Sequence, residues 1–260
     1  MHTTRIADLL QPFLSEPLTP FQLDQISIYI DLLQRWNARI NLTAIRNEEE
    51  IVTRHFGESL FLARHIFSSF DPCPVERRAS PPVHPDTSEP AGTPISPRVE
   101  LRTPIHVVDI GSGAGFPAVP IKIYAPAIRL TMIESNHKKA TFLREVIRTL
   151  TLTNVDANAD GNVDGNVDVR IERAEALAAD PSFPRAAVVT FRAVENFEQT
   201  LKQAATLAAS EGTMALLIGS NQRGVLNTVR EIQWAAPIPV PESETRIVQL
   251  GKSIKSGYNS

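Results

Sequence analysis

A short apolar strand over residues 105–110 carries Asp109 near its end and opens into a loop with glycine at 111, 113 and 115, closed by Phe116 and Pro117. Glycine lets a backbone turn sharply after a strand and come close to a ligand, because no Cβ intervenes. A helix following such a loop presents unpaired N–H groups along the carboxyl edge of a sheet. This segment demands an open α/β sheet, and the residues after it supply one. Strands are expected over 129–134, 169–171, 186–190 and 213–218, with helices over 138–150 and 195–209. Residues 239–240 and 247–250 should close the sheet as a terminal hairpin. The expected class is α/β, a Rossmann-like sheet over 105–260 with helices on both faces and a small helical unit before it.

That unit covers residues 1–70. Thr19-Pro20-Phe21-Gln22 sets an N-cap threonine, proline at the first helical position and glutamine three residues after the cap. Leu23, Ile26, Ile30 and Leu33 then recur on one helical face. A second helix should start at Asn47, with Glu48, Glu49 and Glu50 at the positive end of its dipole, and run through Ile51, His55, Leu62 and Ile66 toward Phe67. Residues 71–104 hold nine of the chain's 20 prolines and few large apolar side chains, which predicts a disordered or extended linker. Asp156 to Asp164 sets oxygen side chains at four calcium-loop positions with glycine at the sixth, but position 12 is Val167 where a bidentate glutamate belongs. A surface insertion near 156–168 with no metal is the reading.

Bulk properties narrow the classes. No apolar run approaches the roughly 20 residues a membrane helix needs, the amino-terminal residues lack a signal-peptide pattern, and a lone Cys73 makes no intrachain disulfide or cysteine-rich metal site. These point to a cytoplasmic protein. The net charge of −3 gives no general attraction for nucleic acid. Locally, Arg246, Lys252 and Lys255 make the carboxyl-terminal end basic. The first seventy residues carry six arginines and eight acids, so an RNA face there must be a patch, with Arg35, Arg39, Arg46 and Arg54 the candidates.

The loop spacing discriminates between ligands. A dinucleotide fingerprint wants a third glycine at 116, where this chain has Phe116, so the loop suits a ligand without a pyrophosphate. Glu134, at the end of the second strand, can accept hydrogen bonds from both hydroxyls of a ribose. That supports a nucleoside and does not choose between NAD and S-adenosylmethionine.

Five stretches resemble the bacterial 16S rRNA guanine-N7 methyltransferase family (RsmG or GidB). Trp36 to Arg46 is similar to its W-N-x-x-x-N-L-T signature, and Arg54 to Leu60 to its R-H-x-x-D-S segment, with Glu58 replacing aspartate. Asp109 to Pro117 resembles its D-x-G-[ST]-G-x-G-x-P loop. Thr190 to Ala193 resembles its S-R-A segment and Arg246 to Lys252 its closing R-x-x-x-x-x-K pattern. The resemblance implies S-adenosylmethionine as cofactor, with Gly111, Gly113 and Phe116 lining its methionine and adenosine moieties and Glu134 on the ribose. Ala174 and Glu175 would then contact adenine, and Arg192 would lie beside the methionyl end. It also implies 16S rRNA or the small ribosomal subunit as partner; no protein partner is indicated. Two positions depart from the family: Phe191 stands where serine is usual, and Ile218 precedes Gly219 where lysine is usual.

No nucleophile and base pair is evident, and this chemistry requires none. Guanine N7 has an in-plane lone pair and no hydrogen, so in-line methyl transfer needs alignment and exclusion of water rather than a proton acceptor. His55 is expected to be a packed or capping residue, and no catalytic residue is assigned. The alternatives are a methyltransferase of another substrate and a ribosome-binding relative without activity.

Overall fold

The computed structural model describes residues 1–68, 104–152 and 167–254. The linker expected over 71–104 (Pro104 apart), Cys73, the calcium-like segment 156–164 and Lys255 lie outside the described residues. Val167, the twelfth position of that segment, opens a strand.

The chain begins with α1 (Thr3–Leu10), a 3-10 turn at Gln11–Phe13 and α2 (Pro20–Asn37). Thr19 caps α2 as its sequence requires: its hydroxyl accepts from Gln22 N at 3.3 Å, and Gln22 Oε1 accepts from Thr19 N at 2.9 Å. Asn47 caps α3 (Glu48–Ile51) through Glu50 N at 3.0 Å. The single helix expected onward from there is interrupted. Val52–Gly57 form a π-helical stretch before α4 (Glu58–Ser68). Two features account for the wider turn. Ser59 Oγ donates to His55 O at 2.5 Å, competing with the backbone ladder. Gly57 lies so close to Phe13 that a Cβ would stand 2.7 Å from its ring.

The sheet has eight strands: β1 (His106–Ile110), β2 (Arg129–Ile133), β3 (Val167–Arg170), β4 (Ala186–Arg192), β5 (Ala208–Gly219), β6 (Ile232–Trp234), β7 (Ile238–Pro239) and β8 (Arg246–Ser253). Their order is β3-β2-β1-β4-β5-β8-β6, with β7 also on β8. The first five run parallel, and β8 lies antiparallel to β5. All five β1 residues are buried, as a central parallel strand covered on both faces requires. Between the strands lie α5 (Ala118–Tyr124), α6 (His137–Thr149), α7 (Ala174–Ala179), α8 (Phe197–Leu207) and α9 (Arg223–Leu226). The expected terminal hairpin is present in part: Ile238 and Pro239 pair with Val248 and Ile247. It lies at the end of the sheet and shares that edge of β8 with β6, a strand the sequence reading missed.

Side chains alternate across the strands into two apolar clusters. One holds Ile26, Tyr29, Ile30, Phe56, Leu60, Phe142 and Leu143 against Val107, Leu130, Met132, Val188 and Leu217, so the amino-terminal helices and one sheet face share a core. The other packs Leu177, Leu201, Ala204 and Leu207 against Val108, Ile110, Val189, Phe191, Leu216 and Ile218. Polar ties fix the first arrangement: Gln25 Nε2 donates to Leu150 O at 2.9 Å and Trp36 Nε1 to Glu145 Oε2 at 3.0 Å. No helix among the described residues is long and apolar enough to cross a membrane.

Candidate donor-binding cleft

The strand order reverses at β1, which has β2 on one side and β4 on the other. Ligands of open α/β sheets bind outside the carboxyl ends of strands at such a point, and here the glycine loop occupies it. Gly111, Gly113 and Gly115 all have positive φ. Gly115 is required twice over, since its φ is 83° and a Cβ there would press on the Tyr29 hydroxyl and stand 2.9 Å from Val119. Tyr29 itself donates to Ala114 O, which ties α2 to the loop. At Gly113 the only heavy atom among the described residues near a Cβ, chain neighbours aside, would be Gly111 O at 3.7 Å, so that side of the loop is open.

Beside the loop lies a cleft of about 320 Å³ whose walls include Gly111, Ser112, Gly113, Phe116, Glu134 and Arg192, together with Thr43, Arg54, His55, Lys139 and Arg246. Five of the seven residues singled out in the sequence therefore meet at one place. Ala174 and Glu175 are not among the lining residues. Ala174 opens α7 and is buried in the α8-side core, and Glu175 is exposed, accepting from Gln199 Nε2 at 3.3 Å.

Glu134 is preorganised. Its Oε2 accepts from Gly113 N at 2.8 Å and its Oε1 from Asn136 N at 2.8 Å, so the loop and the start of α6 hold both oxygens. Each oxygen keeps a lone pair for a further donor such as a ribose hydroxyl. Asp109 is different: it is wholly buried, neither carboxylate oxygen has a hydrogen-bonding partner among the described residues, and burial pushes its pKa up to about 7.

The opposite wall comes from the amino-terminal helices. Phe116 is sandwiched between Tyr29 and His55, with ring centroids 5.3 and 4.7 Å away and planes tilted by 9° and 21°, and Phe56 meets it edge-on. Asn37 shapes the loop before α3 by accepting from Leu42 N and Thr43 N at 2.9 and 3.1 Å, and Thr43 Oγ1 then meets His55 Nε2 at 2.7 Å. Burial, followed by the charges of Arg192, Arg54 and Arg246, lowers the His55 pKa to about 3. The imidazole is neutral at physiological pH, as a packed histidine should be. Arg192 is buried rather than solvent-exposed. Its Nη2 lies 3.2 Å from Glu58 Oε2, and burial brings its pKa down to about 10 against the opposing pull of Glu58.

Tyr29, Thr43, Glu58 and Lys139 escaped the sequence reading. Thr43 and Glu58 stood inside quoted motifs, which was the available signal. Tyr29 carried only the spacing of a core residue. The two departures have a plain explanation. Phe191 and Ile218 both point to the α8 face and are buried there, Phe191 against Phe197 at 5.6 Å, so neither enters the cleft.

A family model described as rRNA small subunit methyltransferase G (GidB) matches residues 22–73 and 95–235. The chain belongs to this family. A ribosomal RNA small subunit methyltransferase G from Chloroflexus aggregans is 31% identical over 239 residues, 88% of this chain and 81% of that protein. Its counterpart from Chromobacterium violaceum is 30% identical over 255 residues, 96% of this chain and 98% of that protein. Among solved structures, a protein from Klebsiella pneumoniae described as a candidate O-methyltransferase is similar with a TM-score of 0.53 at 12% identity, covering 86% of this chain and 89% of that one. That likeness shows the fold, a Rossmann-like methyltransferase sheet preceded by helices.

Proposed function

We propose that this member of the methyltransferase G family transfers a methyl group from S-adenosylmethionine to N7 of a guanine in 16S ribosomal RNA, acting in the cytoplasm on the RNA or the small subunit. The observation that carries the reading is Glu134, fixed by two backbone N–H groups at the mouth of the same cleft that the glycine loop forms. The residues present fit the donor. The Glu134 carboxylate would take the ribose hydroxyls, and the open side of Gly113 leaves room for a close-lying chain. Nη1 of Arg192, buried and without a hydrogen-bonding partner among the described residues, would take a carboxylate. Ala174 and Glu175, beyond β3, are kept as adenine contacts on the strength of the family resemblance. In this reading residues 1–70 form a helical unit that walls the cleft and 71–104 link it to the methyltransferase sheet at 105–260.

S-adenosylmethionine supplies an activated methyl on a sulfonium. The protein's work is then to bind, align and exclude water. Because guanine N7 carries no hydrogen, no residue has to accept a proton. The depressed pKa of His55 makes it a poor base in any case, so we assign it to the wall. Arg54, Lys139 and Arg246, at the rim, would meet RNA phosphates.

Mass spectrometry of 16S RNA from a deletion strain is the test. Loss of one N7-methylguanosine, restored by the wild-type gene and not by a Glu134→Ala copy, is expected. An unchanged content of that nucleoside would remove the reading.

A further inference from the structure

Arg192 reaches the cleft from the end of β4, yet its only ion-pair partner among the described residues is on the amino-terminal helices. Glu58 opens α4 directly after the π-helical turn, and its side chain is 4% exposed against 7% for Arg192. The contact is 3.2 Å, and three atoms at this junction lack a hydrogen-bonding partner among the described residues: Glu58 Oε2, Arg192 Nη1 and His55 Nδ1. The pair therefore orients charge without saturating the guanidinium. Around it stand Arg54 and Arg246, whose charges act on both Arg192 and His55. Arg54 has its own carboxylate, Glu50 at 2.9 Å, on the exposed side. Glu58 is thus the only acid paired with Arg192 among the described residues, and two further guanidinium groups act on that arginine. Without Glu58, the repulsion among these groups and the cost of burying an unpaired charge would both turn Arg192 away from its present position.

The donor's own charges show what Arg192 must meet. With the ribose on Glu134 at the end of β2 and the glycine loop at β1, the remaining part of the donor extends toward β4, the next strand over. That part carries a sulfonium, an ammonium and a carboxylate. A guanidinium repels the first two and pairs with the third.

We propose that Glu58 is a positioning residue for donor binding: its buried ion pair holds the Arg192 guanidinium in line with the donor's carboxylate, so the amino-terminal helical unit contributes to donor affinity and selectivity. This rests on the donor-cleft reading above.

The test is calorimetry of the full-length protein with S-adenosylmethionine and with its decarboxylated form. Glu58→Gln should weaken binding of S-adenosylmethionine about tenfold or more, the size of one lost charge-assisted hydrogen bond, and leave the weaker binding of the decarboxylated form within about twofold. Glu58→Asp, which keeps the charge, should recover most of the loss. A merely structural role would weaken both ligands alike or lower only the melting temperature, and either result overturns the proposal. So does a folded Glu58→Gln protein that binds the donor as tightly as wild type. If Glu58→Gln does not fold, Arg192→Met is compared with the isosteric double variant Glu58→Met/Arg192→Met. Equal donor affinities are expected, since Glu58 acts through Arg192, and a further loss in the double variant refutes it. A wild-type protein that binds neither compound defeats the donor reading itself and this inference with it.

Discussion

On the sheet face covered by α2, α4, α5 and α6, buried polar atoms are left without partners. Glu58 Oε2, His55 Nδ1, both Asp109 oxygens, Thr190 Oγ1, Arg192 Nη1 and, further back on β5, Thr213 Oγ1 all lack a hydrogen bond within the described residues. On the opposite face, under α7 and α8, polar side chains are, with one exception, either paired or replaced by apolar ones. His106 Nε2 meets Thr131 Oγ1 at 3.0 Å, Gln249 Nε2 donates to Ala235 O at 2.7 Å, and Phe191 and Ile218 occupy the positions where the family resemblance leads one to expect polar side chains. Ser253 Oγ, opposite Ile232 on this second face, is its exception among the described residues. A face that only has to be stable satisfies its polar groups. The face that meets ligand keeps some in reserve, and its stability then rests on neighbouring apolar and aromatic packing.

The contrast is open to attack, most forcefully at Phe191. Phe191→Ser removes a fully buried ring from the stable face and should cost about 3–5 kcal/mol in chemical denaturation while donor affinity in the folded protein holds within about twofold. A matching loss of affinity would erase the distinction between the faces. Gly115→Ala acts on the other side. With φ at 83° and Tyr29 and Val119 in the way, it should cost about 2–4 kcal/mol and weaken donor binding too, because the same loop forms the cleft.

A subtler measurement concerns Asp109. Its pKa in the folded protein, about 7, is raised above the ordinary value of 3.8. The folded state therefore binds more protons than the unfolded one across that window, and this residue's contribution to stability falls as pH rises through it, by roughly 1.4 kcal/mol per pH unit at most. His55 and His106, with pKa lowered to about 3 and about 4, act oppositely below 6.5, so the wild-type curve alone is ambiguous. The difference between wild type and Asp109→Asn should isolate the carboxyl, with the variant gaining relative stability from pH 5 to 7. A flat difference would mean that Asp109 is already ionised and paired. Smallest in stability but direct in function, Glu134→Gln should raise the donor dissociation constant about tenfold, read by calorimetry, and cost about 1–2 kcal/mol of stability, because its amide NH2 must face the N–H of either Gly113 or Asn136.

What could be seen in the sequence was whatever is local. The Thr19 cap, the glycine spacing and Glu134 at a strand end are each settled within a few residues, and each stands in the structure where its pattern placed it. The π-helical turn was hidden because it depends on Phe13 and Ser59 rather than on propensity. The Glu58–Arg192 and Tyr29–Ala114 contacts span long stretches of chain, and no periodicity announces which distant partner a buried polar group will find. Short β6 escaped for a related reason. Its three residues gain their strand conformation from pairing with β8, not from a pattern of their own.

The position of β8 has a consequence for biogenesis. This strand is added late in synthesis, yet it sits between β5 and β6 and brings Arg246 to the cleft. A nascent chain still short of residue 246 has β5 as an uncovered edge and lacks one of the cleft's cations. A product truncated before this strand would therefore expose a hydrogen-bonding edge on β5 beside a cleft that lacks one of its cations.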